Sequence, residues 1–275
     1  MSRIGLDFLS VLGMPPLDYV ALAGQLGVGH IGMAPFPIVS VPELYEGWTL
    51  RDNPGLVREI KTAVADHGLS IAVGEGFFIK PGADVNAVAA DMDILADVGA
   101  KRLTVCSFEG DLPTAFDQLA RFAELAAVRG MGSQVEFVPN LGIGDLPTAL
   151  AAVKHVGRDD FGVVIDAMHI YRSGATAADV AALSPQAIGH FQLCDVPYAI
   201  AAQGYGYEAS FERLAPGDGE LPLAELLAAI PTDKVVGLEI PMKARALAGG
   251  SAVERLAPSV AATRALLAEV AATAV

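Results

Sequence analysis

Four short apolar runs in the second half of the chain each carry one polar residue able to ligate a metal: Val135-Glu136-Phe137-Val138, Val163-Val164-Ile165-Asp166, Phe191-Gln192-Leu193 and Val236-Gly237-Leu238-Glu239. A carboxylate costs several kcal/mol to bury without a partner, so three of them on apolar strands point to a cation that neutralises them together. The densest polar stretch, Asp166-Ala167-Met168-His169-Ile170-Tyr171-Arg172-Ser173-Gly174, follows its apolar run directly and is expected to leave the strand beside that cation. Asp166 is then a ligand, His169 a substrate contact or proton-transfer group, and Arg172 an anchor for an anionic or polyhydroxylated substrate. The alternative is an ordinary strand-to-helix loop in which Asp166 caps and Arg172 pairs at the surface. Glu75 and Glu109, near the ends of the third and fourth apolar runs, are further candidates for facing the substrate.

The elements that position these residues alternate. Short β-branched or apolar runs start near Ile4, His30, Leu69, Arg102, Gln134, Gly162, Ala187 and Val235. Stretches of helical period lie between and after them, over 17–26, 54–67, 83–98, 112–128, 146–156, 175–183, 223–230 and 252–272. This pattern predicts repeated βα units and a parallel sheet. Asn53 before Pro54, Asp145 before Leu146-Pro147 and Ser251 before Ala252 read as helix caps, and Gly68, Gly99 and Gly130 as helix stops. Eight such units close most simply into a (β/α)8 TIM barrel, an α/β fold, because an open doubly wound sheet leaves two edges and usually carries a Gly-rich phosphate turn that is absent after 4–8. In a barrel the C-terminal strand ends share one mouth, so Glu136, Asp166, Gln192 and Glu239 converge. The long interval before the last strand must hold an extra loop. It contains 200–211, with Tyr205 and Tyr207, as a lid over the site, and the Pro- and Gly-rich stretch that follows Arg213.

Composition bounds the function. The 275 residues are read as one domain, and the 53% hydrophobic content can fill a large core. No apolar run approaches the roughly 20 residues of a membrane span, and the start of the chain lacks the features of a signal peptide, so a soluble, cytoplasmic protein is expected. A net charge of −14, from 32 acidic against 18 basic side chains, would repel a phosphate backbone, which argues against nucleic acid as partner. Cys106 and Cys194 have no metal or redox spacing and are expected as buried reduced thiols.

The chain resembles the sugar phosphate isomerase/epimerase family with a xylose isomerase-like TIM barrel. The resemblance rests on Val135-Glu136-Phe137-Val138-Pro139, Asp166-x-x-His169, Ile188-Gly189-His190-Phe191-Gln192-Leu193-Cys194-Asp195, Arg213-x-x-Pro216-Gly217-x-Gly219 and Gly237-Leu238-Glu239-Ile240. It implies one divalent ion held by a Glu, an Asp, a His and a second Glu. Here the His position falls on Gln192, with His190 two residues earlier on the same strand face. Glu136, Asp166, Gln192 and Glu239 form an all-oxygen set suited to Mn²⁺ or Mg²⁺, whereas His190 in place of Gln192 would make Co²⁺ and Zn²⁺ competitive. The resemblance further implies that Glu136 and Glu239 exchange protons with the substrate and that Arg213 binds it.

The expected activity is a metal-dependent isomerase or epimerase that transfers a proton next to a carbonyl on a sugar, sugar derivative or cyclitol. A lyase or dehydratase that eliminates a β-substituent from a keto-sugar or keto-acid begins with the same proton abstraction. A third reading, of another class, is a non-catalytic sugar-binding barrel. The charge and the five histidines argue against the family members that cut abasic DNA. A small polyol or keto-sugar is the expected partner, and the apolar outer helices would permit a homodimer.

Overall fold

The computed structural model describes residues 2–273. Eight parallel strands close in sequence order into a barrel. They are β1 Ile4–Leu6, β2 His30–Met33, β3 Ser70–Ile79, β4 Arg102–Ser107, β5 Gly132–Glu136, β6 Phe161–Asp166, β7 Ile188–Leu193 and β8 Val236–Leu238. Each starts within two residues of its apolar run's expected origin, because strands covered on both faces read as near-continuous Val, Ile and Leu. The helices are α1 Pro16–Leu26, α2 Pro54–Asp66, α3 Ala89–Val98, α4 Leu112–Ala127, α5 Leu146–Val156, α6 Ala167–Arg172, α7 Ala177–Ala181, α8 Tyr205–Phe211, α9 Leu223–Ala229, α10 Lys243–Leu247 and α11 Ala252–Thr273.

The caps act as their residue types require. Asn53 accepts from the Leu56 amide and Asp145 from the Thr148 amide, each just before a proline in the first turn. Ser251 and Glu254 bond reciprocally at the start of α11. Gly68, Gly99 and Gly130 take left-handed backbone at φ 63°, 97° and 72°, where a side chain would be strained. Three stretches depart from the expected elements. The interval 83–98 divides into a 3₁₀ turn, Val85–Val88, and α3. The expected helix over 175–183 is the shorter α7, and the Asp166–Gly174 stretch is not an open loop, because α6 starts immediately after β6.

Barrel register sets the height of the polar groups. Asp166 lies level with Gln192, and Gln192 with Gly237, while Glu136 lies level with Cys106. The ladder continues past β8, where the Glu239 amide donates to Leu193 O at 3.1 Å. The core fills the space between strands and helices with side chains such as Phe122, Phe161, Phe191, Leu119 and Ile165, all buried. The barrel interior below the mouth is polar and internally paired: Gln134 donates to Thr104 Oγ1 at 2.8 Å, and Arg102 Nε donates to Gln134 Oε1 at 3.1 Å. Among the described residues no helix is long and apolar enough to cross a membrane.

Candidate active site

A cavity of about 480 Å³ opens at the C-terminal mouth, and Glu75, Glu136, His169, Gln192, Arg213 and Glu239 all face it. Strand ends deliver three of these six. Glu136 closes β5, Gln192 sits in β7 and Glu239 follows β8. Asp166 ends β6 and at once caps α6, accepting the His169 amide at 2.9 Å through Oδ1. That single turn carries His169 back over the site, which is why the spacing Asp166-x-x-His169 brings both side chains to one place.

Glu136, Asp166 and His169 each turn one ligand atom into a cluster whose members lie within 4.8 Å of one another. His169 Nε2 stands 3.3 Å from Glu136 Oε1, and Nδ1 stands 3.6 Å from Asp166 Oδ1. The Tyr205 hydroxyl shares a hydrogen bond with Nδ1. Two carboxylates and an imidazole are a donor set that can hold a divalent ion. Glu239 and Gln192 face one another instead: the Gln192 amide nitrogen donates to Glu239 Oε1 at 2.9 Å. Arg213 lies between Asp166 and Glu239, its Nη1 at 2.5 Å from Asp166 Oδ2 and 2.7 Å from Glu239 Oε2. The contact to Glu239 is an ion pair without hydrogen-bond alignment, so Glu239 Oε2 is buried without a hydrogen-bond partner; Gln192 Oε1 is buried without one as well.

The charges do not balance, and the titration behaviour follows. One guanidinium serves two buried carboxylates. Burial pushes the Asp166 carboxyl up, but Arg213, His169 and the His169 amide outweigh it and hold the group below the usual range. Burial pushes Glu239 well above the usual range, with Glu136 and Asp166 adding to the rise against the pull of Arg213. Burial raises Glu75 in the same way, with Asp7 second. The buried thiols of Cys106 and Cys194 are also pushed up by burial and by neighbouring acids, so both are poor nucleophiles.

The remaining candidates separate. His190 lies below the cavity and pairs with Asp7 at 2.9 Å, away from the Glu136 cluster. Arg172 does not line the cavity. Its guanidinium donates to the carbonyls of Pro197 and Tyr198 and to the Glu208 carboxylate, tying the 197–199 segment to α8. Glu109 accepts the Asp111 amide in its own turn and stays off the cavity wall. The 200–211 stretch contains α8, which places Tyr205 against His169. Two contacts carried no signal in the sequence analysis: the Tyr205 hydroxyl on His169, and the Cys106 thiol donating to Glu136 Oε2 at 3.4 Å.

Residues 20–265 match the family model described as xylose isomerase-like TIM barrel. No curated protein matches the chain in sequence. Among solved structures, the chain is similar to an IolI protein with a bound zinc atom, with a TM-score of 0.76 at 16% identity, covering 98% of both chains. It is similar to D-psicose 3-epimerase, with a TM-score of 0.72 at 16% identity, covering 97% of this chain and 99% of that one. L-ribulose 3-epimerase gives a TM-score of 0.71 at 15% identity, covering 100% of this chain and 97% of that one. At these identities the structural likeness concerns the fold. The family match spans most of the sequence, and the chain belongs to the xylose isomerase-like TIM barrel family.

Proposed function

We propose that this protein is a divalent-metal-dependent isomerase or epimerase that moves a proton on the carbon beside a carbonyl of an unphosphorylated sugar, sugar derivative or cyclitol. The observation that carries the proposal is the pair Glu136 and Glu239, delivered by β5 and β8 to one cavity with His169 and Gln192 between them. Proton removal and return at one carbon needs two groups that reach the substrate, one able to take a proton and one able to give it. Glu136 opens to the cavity, with 13% of its side chain exposed, and is suited to take the proton. Glu239, held above the usual carboxylate range by burial, is suited to give one. The unpaired Gln192 Oε1 would accept from a substrate hydroxyl.

Glu136, Asp166 and His169 would hold the ion, and the mixed nitrogen and oxygen donors favour Mn²⁺, with Co²⁺ and Zn²⁺ next and Mg²⁺ after them. When bound, the ion would supply Lewis-acid stabilisation of negative charge developing on the substrate oxygens. Arg213 is the one Lys or Arg among the described residues lining the cavity, and two carboxylates already engage it, which disfavours a phosphorylated substrate. A panel of free ketoses and keto-cyclitols, incubated with Mn²⁺-loaded protein and analysed by NMR, tests the assignment. Interconversion of epimers or of aldose and ketose is the expected outcome. Products lacking the elements of water would reassign the protein as a lyase, and no turnover of any candidate would favour a sugar-binding barrel.

A further inference from the structure

Arg213 reaches the site from the segment after α8 and is 2% exposed. Its stem is fixed, because Nε donates to Ala209 O at 2.8 Å. Its Nη1 then bridges the acids of two different strands, Asp166 at the end of β6 and Glu239 just beyond β8. The other oxygen of each acid also faces nitrogen: Asp166 Oδ1 takes the His169 amide, and Glu239 Oε1 takes the Gln192 amide, both at 2.9 Å. Each of the four oxygens thus faces a nitrogen of the chain itself, three of them through hydrogen bonds and Glu239 Oε2 through the ion pair alone. The Gln192 amide orientation fits that arrangement, since the reverse would set its carbonyl against the Glu239 carboxylate. A small cation placed between Asp166 and Glu239 would need the oxygens that Arg213 holds.

We propose that Arg213 is the built-in cation of this acid pair: it holds Asp166 and Glu239 together without metal, and a divalent ion gains Asp166 only in competition with it. The proposal rests on the site described under Proposed function but not on the reaction assigned there. Taking a paired guanidinium away from two buried carboxylates leaves charge that an ion can then satisfy, so loss of Arg213 should strengthen metal binding. If Arg213 were only a substrate contact, its loss would leave metal affinity unchanged.

The test is calorimetric titration of MnCl₂ into chelator-treated wild-type protein, Arg213→Met and Arg213→Lys, with folding followed by circular dichroism. Arg213→Met is expected to bind Mn²⁺ at least about tenfold more tightly than wild type, with Arg213→Lys between them. Equal or weaker binding by Arg213→Met overturns the proposal. Should Arg213→Met be unfolded with and without Mn²⁺, the wild-type arm decides. Its melting temperature is expected to be unchanged by chelation, whereas a fall of roughly 10 °C would show that the acid pair depends on an ion rather than on Arg213. The outcomes separate the two claims. Tight wild-type binding that is unchanged in Arg213→Met removes this proposal and leaves the metal-dependent reaction standing. Binding by Arg213→Met alone does the reverse, and no binding by either protein removes both.

Discussion

Gln192 and Glu239 meet across adjacent strands at the mouth of the barrel, with the glutamine amide donating to the carboxylate at 2.9 Å and both side chains buried. The amide serves Glu239 with one end and leaves its own carbonyl oxygen without a hydrogen-bond partner at the other. A buried acceptor in that state is costly unless something fills it, and the cavity it faces is where a substrate hydroxyl would lie. Gln192→Leu removes the donor from a buried carboxylate and should cost about 1–3 kcal/mol. Thermal denaturation should show a melting temperature several degrees lower, and an unchanged value would mean that the pair contributes nothing to holding Glu239.

The Tyr205 hydroxyl on His169 Nδ1 controls the ring. With that nitrogen accepting from Tyr205, Nε2 carries the proton toward Glu136; with Nδ1 donating, Nε2 is free to ligate an ion. Tyr205→Phe removes the control while keeping most of the packing. It should lower metal affinity or turnover by about 10–100-fold with little change in stability. Equal affinity and turnover in the variant would show that Tyr205 merely covers the ring.

Glu75 sits beneath the cavity where Gly32 leaves room for it, since a Cβ at Gly32 would lie 1.7 Å from Glu75 Oε1. Its oxygen accepts the Phe8 amide at 3.1 Å, but burial holds its carboxyl well above the usual range. A carboxyl raised on folding contributes fully below its unfolded value, and the contribution is lost as pH rises through the folded value. Wild-type protein should therefore lose stability relative to Glu75→Gln as pH rises from about 4 into the alkaline range, the two converging in acid. Melting curves across that interval check the sign. A difference independent of pH would mean that Glu75 does not carry this penalty.

Arg172 acts on the wall rather than on the cavity. Its bonds to the Pro197 and Tyr198 carbonyls and to Glu208 hold the segment that leads into α8. Arg172→Ala should make 197–204 the first site of limited proteolysis, and bound substrate should slow that cleavage. A cleavage pattern identical to wild type would return Arg172 to a role at the substrate.

Much of the barrel is legible in the sequence because local signals and long-range packing agree. Parallel strands buried on both faces read as apolar runs, and caps such as Asn53, Asp145 and Ser251 mark where helices start. The convergence of Glu136, Asp166 and Glu239 follows from strand order alone. The use of Asp166 both to end β6 and to cap α6 is harder to see, because a six-residue helix has too few residues to show a period. Arg213 and Arg172 are each visible as charged residues near the site, but their partners lie on segments far away in sequence. No local pattern tells that one bridges two strand ends while the other ties down a wall. The close approach of Glu75 to Gly32 is likewise a property of the closed barrel.

The most direct test of the account is proton exchange at the carbon beside the carbonyl. Mn²⁺-loaded protein is incubated in D₂O with unphosphorylated ketoses and keto-cyclitols, alongside Glu136→Gln and Glu239→Gln. NMR should show deuterium entering that carbon of a turned-over substrate, with turnover falling by about 10²–10⁴-fold in each folded variant. Undiminished exchange in both variants, or product formed without exchange at that carbon, would contradict the assignment of Glu136 and Glu239 as the proton-transfer pair.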